Sequence, residues 1–240
     1  MKLRVRYTKL GKIRFTSHRD TARHWERAVR KAGVPLGYSA GFTPRPKMSF
    51  GLALPTGGES LAEYLDMDLA EGQSPDLHEL CARFGATLPI GYEATAVVPR
   101  EPGCPSLQED VVACTWQLSL CGVSAEQAAH AIGTTLAASS LLVERERKGQ
   151  RSVDDVRAAI ESLQVTSVAE DPRPHLCAVL VTNGRGLRPT ELVGALFPSL
   201  DPIEATGRVL RTHQWIERDA VRRDIIPAPV VVSRTPVECA

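Results

Sequence analysis

The chain is short of aromatic residues, of paired cysteines and of long apolar runs, and each shortage removes a class of protein. Aromatics make up only 5% of it. No apolar stretch approaches the roughly 18–20 residues of a membrane-spanning helix, and no membrane partner is expected. The opening Met-Lys-Leu-Arg-Val-Arg-Tyr alternates charge with apolar residues. It offers no secretory signal, so the expected location is cytoplasmic. The six cysteines (Cys81, Cys104, Cys114, Cys121, Cys177 and Cys239) include no Cys-x-x-Cys, and no histidine neighbours them at finger-like spacing. Zinc ligands come in close pairs because two ligands on one turn preorganise half the tetrahedron. An iron–sulfur cluster needs three or four clustered thiolates, so no metal or cofactor is expected in this chain. Phosphate loops, a dinucleotide glycine fingerprint and a zinc-protease helix are likewise missing.

Acids are missing from one end. Residues 1–50 hold 13 Lys/Arg against Asp20 and Glu26, whereas residues 51–110 hold 11 acids against Arg83 and Arg100. The formal net charge of +1 is a cancellation between two strongly charged neighbours. Such an asymmetry points to an anionic partner.

Period-two alternation of Leu3, Val5 and Tyr7 with Arg4, Arg6 and Thr8 predicts a half-buried strand. Lys9–Lys12 reads as a turn, with Ile13–Phe15 as a returning strand or its continuation. Ser17 is a good N-cap for a helix from His18 to Ala32 closed by Gly33. On it Arg19, Arg23, Arg27 and Lys31 are four apart, which sets four cations in one surface row. Gly37–Gly51 is too densely punctuated by Gly and Pro for helix. Strands at Met48–Leu54 and Glu63–Leu69, a helix at Pro75–Phe84 and extended chain at Ile90–Val98 complete a βαββαβ order.

Three prolines and a glycine make 99–108 a linker. The cycle then restarts: strand Ala113–Leu120, a helix from Ser124 to about Ala138, strand Leu141–Glu146, a basic loop Arg145–Arg151, an ambiguous Val156–Val165, strand His175–Thr182 and helix Pro189–Phe197. The expectation is an α+β chain of two tandem ferredoxin-like (βαββαβ-type) modules, antiparallel sheets with helices on one face. The first occupies 1–98 and the second 109–200. Residues 201–240 form a C-terminal extension, partly disordered or an edge strand in its Pro-rich tail.

The candidate nucleic-acid-binding residues are Arg14, His18, Arg19, Arg23, Arg27, Lys31, Tyr38, Phe42, Arg45 and Lys47. Cations contact phosphates while aromatics stack on unpaired bases. Two plainer readings compete. The helix row is a solvated face with Tyr38 and Phe42 in the core, or the acidic block Glu59–Glu79 neutralises the arm, its carboxylates facing Arg4 and Arg6. Ser17 reads as a cap rather than a nucleophile. Asp66 and Asp68 share a strand face, the shape of an acid–base or metal pair or of a solvated surface.

The runs Ile13–Asp20, Glu26–Gly33, Gly41-Phe-Thr-Pro-Arg-Pro-Lys-Met-Ser-Phe-Gly51 and Glu63–Asp66 resemble the bacterial radical SAM-linked protein family, domain of unknown function 2344. The resemblance covers about residues 1–200 and is densest before residue 70. His18-Arg19-Asp20 departs from the His-Leu-Asp of many members. The resemblance implies an accessory role beside a B12-binding radical SAM protein, in modifying RNA (tRNA or rRNA). S-adenosylmethionine, the iron–sulfur cluster and cobalamin would belong to that partner. A fold-level likeness to CRISPR repeat-processing endoribonucleases implies an alternative, metal-independent RNA cleavage with His18, Tyr38 and Lys47. A protein–protein adaptor without RNA affinity is the third reading.

Overall fold

A computed structural model describes residues 1–226 except 148 and 185; the Pro-rich tail from Pro227 lies outside the described residues. The fold is α+β with antiparallel strand pairing, and it divides into two compact units. One comprises Met1–Val111 with residues 217–226, the other Val112–Ile216.

The first unit runs β1 (Lys2–Lys9), α1 (His18–Lys31), β2 (Met48–Phe50), β3 (Glu59–Asp68), α2 (Leu77–Gly85), β4 (Tyr92–Pro99) and a single turn α3 (Leu107–Asp110). Its strands lie in the order β4–β1–β3–β2, each neighbouring pair antiparallel. One sheet face carries Leu3, Val5, Tyr7, Leu65 and Met67 against Trp25 and Val29 of α1 and Leu80 and Phe84 of α2. This is what the alternation in β1 predicts. The other face was expected to be solvated, and it is not. Arg4 and Arg6 are 6% and 3% exposed, beneath Leu107 of α3 and Ile226, which pack with Ala62 and Tyr64 of β3.

Burying those guanidinium groups requires paired carboxylates. The β1/β3 register places Arg4 opposite Asp66, and Arg4 donates from Nε and Nη2 to the two Asp66 oxygens at 2.7 and 2.9 Å. Arg100 Nε lies 3.2 Å from the same carboxylate. Arg6 lies 3.8 Å from Asp224, to which the Tyr64 hydroxyl also donates. Desolvation and the Asp224 charge push that phenol well above its ordinary range.

Residues Gly11–Phe15 form a 3-10 turn in place of the expected returning strand. Gly11 takes a left-handed φ of 72°, and its N–H is captured by Glu59 at 2.6 Å. Leu10 N–H donates to the Gly91 carbonyl, so the chain turns before it can pair again.

The second unit holds β5 (Val111–Leu120), α4 (Ala125–Ala137), β6 (Leu142–Arg147), β7 (Gln150–Asp155), β8 (Ile160–Val168), β9 (Asp171–Val181), α5 (Pro189–Leu196), α6 (Pro202–Ala205) and β10 (Thr206–Arg218), after which β11 (Val221–Asp224) returns to the first. Strand order is β10–β5–β9–β8, with β5/β9 and β8/β9 antiparallel. Two local expectations change. The basic stretch from Arg145 to Arg151 falls in an antiparallel hairpin, β6/β7, whose pairs run from Leu142 with Asp155 to Arg147 with Gln150. The ambiguous Val156–Val165 resolves into a 3-10 turn at Arg157–Ala159 and the start of β8.

Replacing Asp66 by Ala leaves Arg4 and Arg100 without their carboxylate and should cost about 3–5 kcal/mol. Lys2→Ala, at an exposed pair with Asp68, should cost less than about 1 kcal/mol. Urea denaturation of both variants checks the contrast, and similar midpoints would contradict it.

Candidate nucleic-acid interface

The first fifty residues sort their cations by element. Those of β1 are internal: Arg4 and Arg6 are buried as above, Lys9 is 3% exposed with Nζ donating to the Thr16 carbonyl at 2.7 Å, and Lys2 pairs with Asp68 at 3.5 Å. The internal-neutralisation reading therefore holds for Arg4, through Asp66. The neighbouring expectation for Arg6 is met by a different carboxylate, Asp224. Asp66 and Asp68 are both engaged by cations of the first strand, which leaves no free carboxylate pair on β3.

The cations of α1 are external. Its buried residues are Thr21, Trp25, Ala28 and Val29, while Arg19, Arg23, Arg27, Arg30 and Lys31 are exposed. Within the row Arg23 meets Asp20 at 3.1 Å and Arg27 Nε donates to the Arg23 carbonyl at 3.3 Å. Among the described residues Arg19, Arg27 and Lys31 have no carboxylate partner. The helix is fixed at both ends. Ser17 Oγ accepts from Asp20 N–H at 3.1 Å and donates to its carboxylate at 2.8 Å, so Ser17 is the cap that the sequence suggests. That bond, and Arg23, hold the Asp20 carboxyl below its usual range. At the other end Gly33 has a φ of 64°, and the Arg83 guanidinium of α2 donates to the Ala32 carbonyl. A cation there complements the helix dipole.

The glycine- and proline-rich segment is a closed ladder. Gly37 N–H donates to Asp68, Asp68 N–H to Lys47, Lys47 N–H to Gly37 and Ser39 N–H to Arg45, at 2.8–3.0 Å. Tyr38 bridges Pro46, and Gly41 turns the tip at a φ of 128°. The ladder brings Tyr38 and Lys47 together at its base, and Arg45 is exposed. Tyr38 is 55% exposed and Phe42 fully so, which overturns the reading that placed both in the core. His18, exposed at the start of α1, sits edge-on to Phe50 of β2 at 5.7 Å, three residues beyond Lys47.

Two features escape sequence reasoning. Phe15, taken as a strand residue, is 63% exposed, with the Arg14 guanidinium 4.6 Å from its ring centre. Arg14 in turn lies 3.8 Å from Glu59. The second is a buried polar cluster under the same turn. The Thr21 and Tyr92 hydroxyls are 2.8 Å apart, and the His24 ring meets Tyr92 edge-on at 5.8 Å. Only the Gly11 turn and the β1/β4 pairing of Lys9 with Tyr92 assemble it, and neither leaves a local sequence signal.

In the second unit a cavity of about 1070 Å³ opens among the start of α4, the end of β8 and the start of β9. Two of its three charged members are occupied with each other, because Arg173 grips Asp171 at 2.7–3.2 Å through Nε and Nη2. Among the described residues no three His, Cys, Asp or Glu side chains converge as a metal site requires, and no helix is long and apolar enough to cross a membrane.

Two outcomes test this geometry. Arg27 faces like charges at i−4 and i+4, an arrangement that costs about 0.2–0.5 kcal/mol per pair. Arg27→Glu should therefore raise the thermal midpoint at low salt; a lower midpoint would mean that the row is structurally required. Desolvation, followed by the Arg27 charge, lowers the His24 pKa from its ordinary 6.5. A depressed histidine favours the neutral folded form, so its contribution falls as pH drops below 6.5 toward its own lower value. His24→Gln should lose less stability than the parent chain as pH falls below about 6.5; parallel pH profiles would contradict it.

No curated protein matches the chain. A family model described as an uncharacterized protein conserved in bacteria matches residues 2–189. That span includes α1, the Gly37–Lys47 ladder and the contacts of Asp66 with Arg4 and Arg100, and on it the chain belongs to the bacterial family designated DUF2344.

Proposed function

We propose that this protein is a cytoplasmic RNA-binding accessory subunit that presents tRNA or rRNA to a B12-binding radical SAM enzyme. The iron–sulfur cluster, S-adenosylmethionine and cobalamin belong to that enzyme. The observation that carries the RNA reading is the sorting of cations. Arg4, Arg6 and Lys9 are buried, while α1 presents Arg19, Arg23, Arg27, Arg30 and Lys31 outward and the hydrogen-bonded Gly37–Lys47 loop that follows it exposes Tyr38 and Phe42. Such a surface suits phosphate and unpaired base together. The radical-enzyme connection rests on the resemblance of Gly41–Gly51 and its flanking runs.

The strand orders β4–β1–β3–β2 and β10–β5–β9–β8 support reading the chain as two ferredoxin-like modules, the second carrying the β6/β7 hairpin as an insertion. In many RNA-binding sheets of that kind the open face takes the bases. Here that face of the first unit is closed by Leu107, Ile226 and the Arg4–Asp66 network, which directs RNA to α1 and the ladder.

Filter binding of tRNA and rRNA fragments across a salt series tests the proposal. With about five phosphate contacts, affinity should fall roughly 100-fold between 50 and 200 mM salt. Undetectable or salt-insensitive binding would overturn it. RNA cleavage in EDTA that His18→Ala abolishes would instead establish the endoribonuclease, and co-purification with the radical enzyme without RNA affinity would establish the adaptor.

A further inference from the structure

Phe15 is an aromatic residue with most of its surface in water on a segment that is otherwise anchored throughout. Exposed rings on mobile loops are common and mean little, but this one is held from several sides. The Arg14 carbonyl accepts from Gly57 N–H at 2.9 Å, and Thr16 N–H donates to the Ile13 carbonyl at 2.9 Å. Lys9 Nζ reaches the Thr16 carbonyl at 2.7 Å, and the Glu59 carboxylate takes Gly11 N–H at 2.6 Å. Ile13 of the same turn packs against the core, so the segment has an apolar anchor without Phe15. The ring is 63% exposed and stands outside the core cluster that takes Ile13, with only its edge near Gly57.

The Arg14 guanidinium lies 4.6 Å from the ring centre and is steadied by Glu59 at 3.8 Å. A ring on an anchored backbone with a guanidinium over it has less freedom left to lose on binding, which favours a flat aromatic ligand. The ring also stands three residues before His18 and four before Arg19, where the cation row of α1 begins. That row spans about 18 Å from Arg19 to Lys31 with successive cations about 6 Å apart, a spacing comparable to that of phosphates along an extended single strand. At its far end the chain passes through Gly33 into the ladder that exposes Tyr38 and Phe42.

Resting on the RNA-binding reading above, we propose that Phe15, flanked by Arg14, is a base-stacking site. It takes one unpaired nucleobase whose neighbouring phosphates follow Arg19 and Arg23 along α1. The ligand class is single-stranded RNA, because a base inside a duplex has no free face to offer. Phe15 sits in the site as a stacking platform and carries no bond-making role.

A single-stranded RNA carrying 2-aminopurine, and a duplex of equal length, are titrated against the parent chain, Phe15→Ala, Phe15→Trp and Arg27→Glu. Stacking of one base is worth about a 5- to 150-fold change in affinity. Phe15→Ala should weaken single-strand binding by that factor, abolish the fluorescence change at one position and leave the thermal midpoint unchanged. Phe15→Trp should retain both affinity and signal. Arg27→Glu should weaken strand and duplex alike. If Phe15→Ala binds the single strand as the parent does while Arg27→Glu does not, the RNA reading stands and the stacking site falls. Equal affinity of the parent chain for strand and duplex would also sink the stacking site. If the parent chain binds neither RNA, the RNA reading itself fails and takes the stacking site with it.

Discussion

The bidentate contact of Arg4 with Asp66 is the constraint on which the first unit depends. A guanidinium 7% exposed and a carboxylate 8% exposed cannot each stand alone in a protein interior, where an unpaired charge costs several kcal/mol. The pair therefore dictates register. A slip of one residue between β1 and β3 would turn Arg4 toward Trp25 and Phe84 and set Leu3 and Val5 on the buried polar face that holds Asp66. Hydrophobic pattern and charge pairing select the same alignment, and Arg100, arriving after β4, closes on the same carboxylate. Buried pairs are weak sources of net stability but strong sources of specificity when, as here, a register error strands a charge.

That closure decides what the rest of the basic segment is free to do. Once Asp66 is committed to Arg4 and Arg100, and Glu59 is 5% exposed with Gly11 and Arg14 on it, the acids nearest in sequence are spent inside the fold. The row on α1 is left facing solvent with only Asp20 and Glu26 on its own helix. Cations four apart repel, and a sequence shaped by stability alone would intersperse glutamates along that face. Retaining Arg19, Arg23, Arg27 and Lys31 together makes sense where something outside the chain supplies the negative charge.

Much of this was legible in the sequence because it rests on short-range rules. Ser17 as a cap, Gly33 as a stop and the four-residue row follow from helix geometry, and the helix ends where those rules place it. The pairing of β1 with the acidic strand was readable as an alternative, since alternate cations facing alternate acids suggest their own register. What stayed hidden depends on contacts distant in sequence. Arg6 finds Asp224, 218 residues away, and no local pattern points there. The second face of β1 looked solvated because arginine in alternation usually is; Leu107 and Ile226 cover it from segments with no sequence relation to it. Phe15 was misplaced for the opposite reason, because alternation extended one turn too far once the left-handed Gly11 was read as an ordinary turn residue.

The formal charge of +1 is in this light a poor description of what a partner meets. Charges paired in the interior contribute little field beyond their own neighbourhood, whereas exposed ones act over about a Debye length, roughly 8–10 Å at ordinary salt. Asp66, Glu59 and Glu63 are buried, and among the described cations of the first fifty residues those left outside lie mainly on α1 and the ladder. The surface of that helix is therefore more basic than any count over the whole chain suggests, and its field is concentrated along one 14-residue element. Concentration of this kind governs how fast an anionic partner is met and how strongly its binding depends on salt. The exposed rings that flank this helix in sequence are Phe15 before it and Tyr38 and Phe42 after it, so its field acts next to the few aromatic side chains that the first fifty residues leave in water.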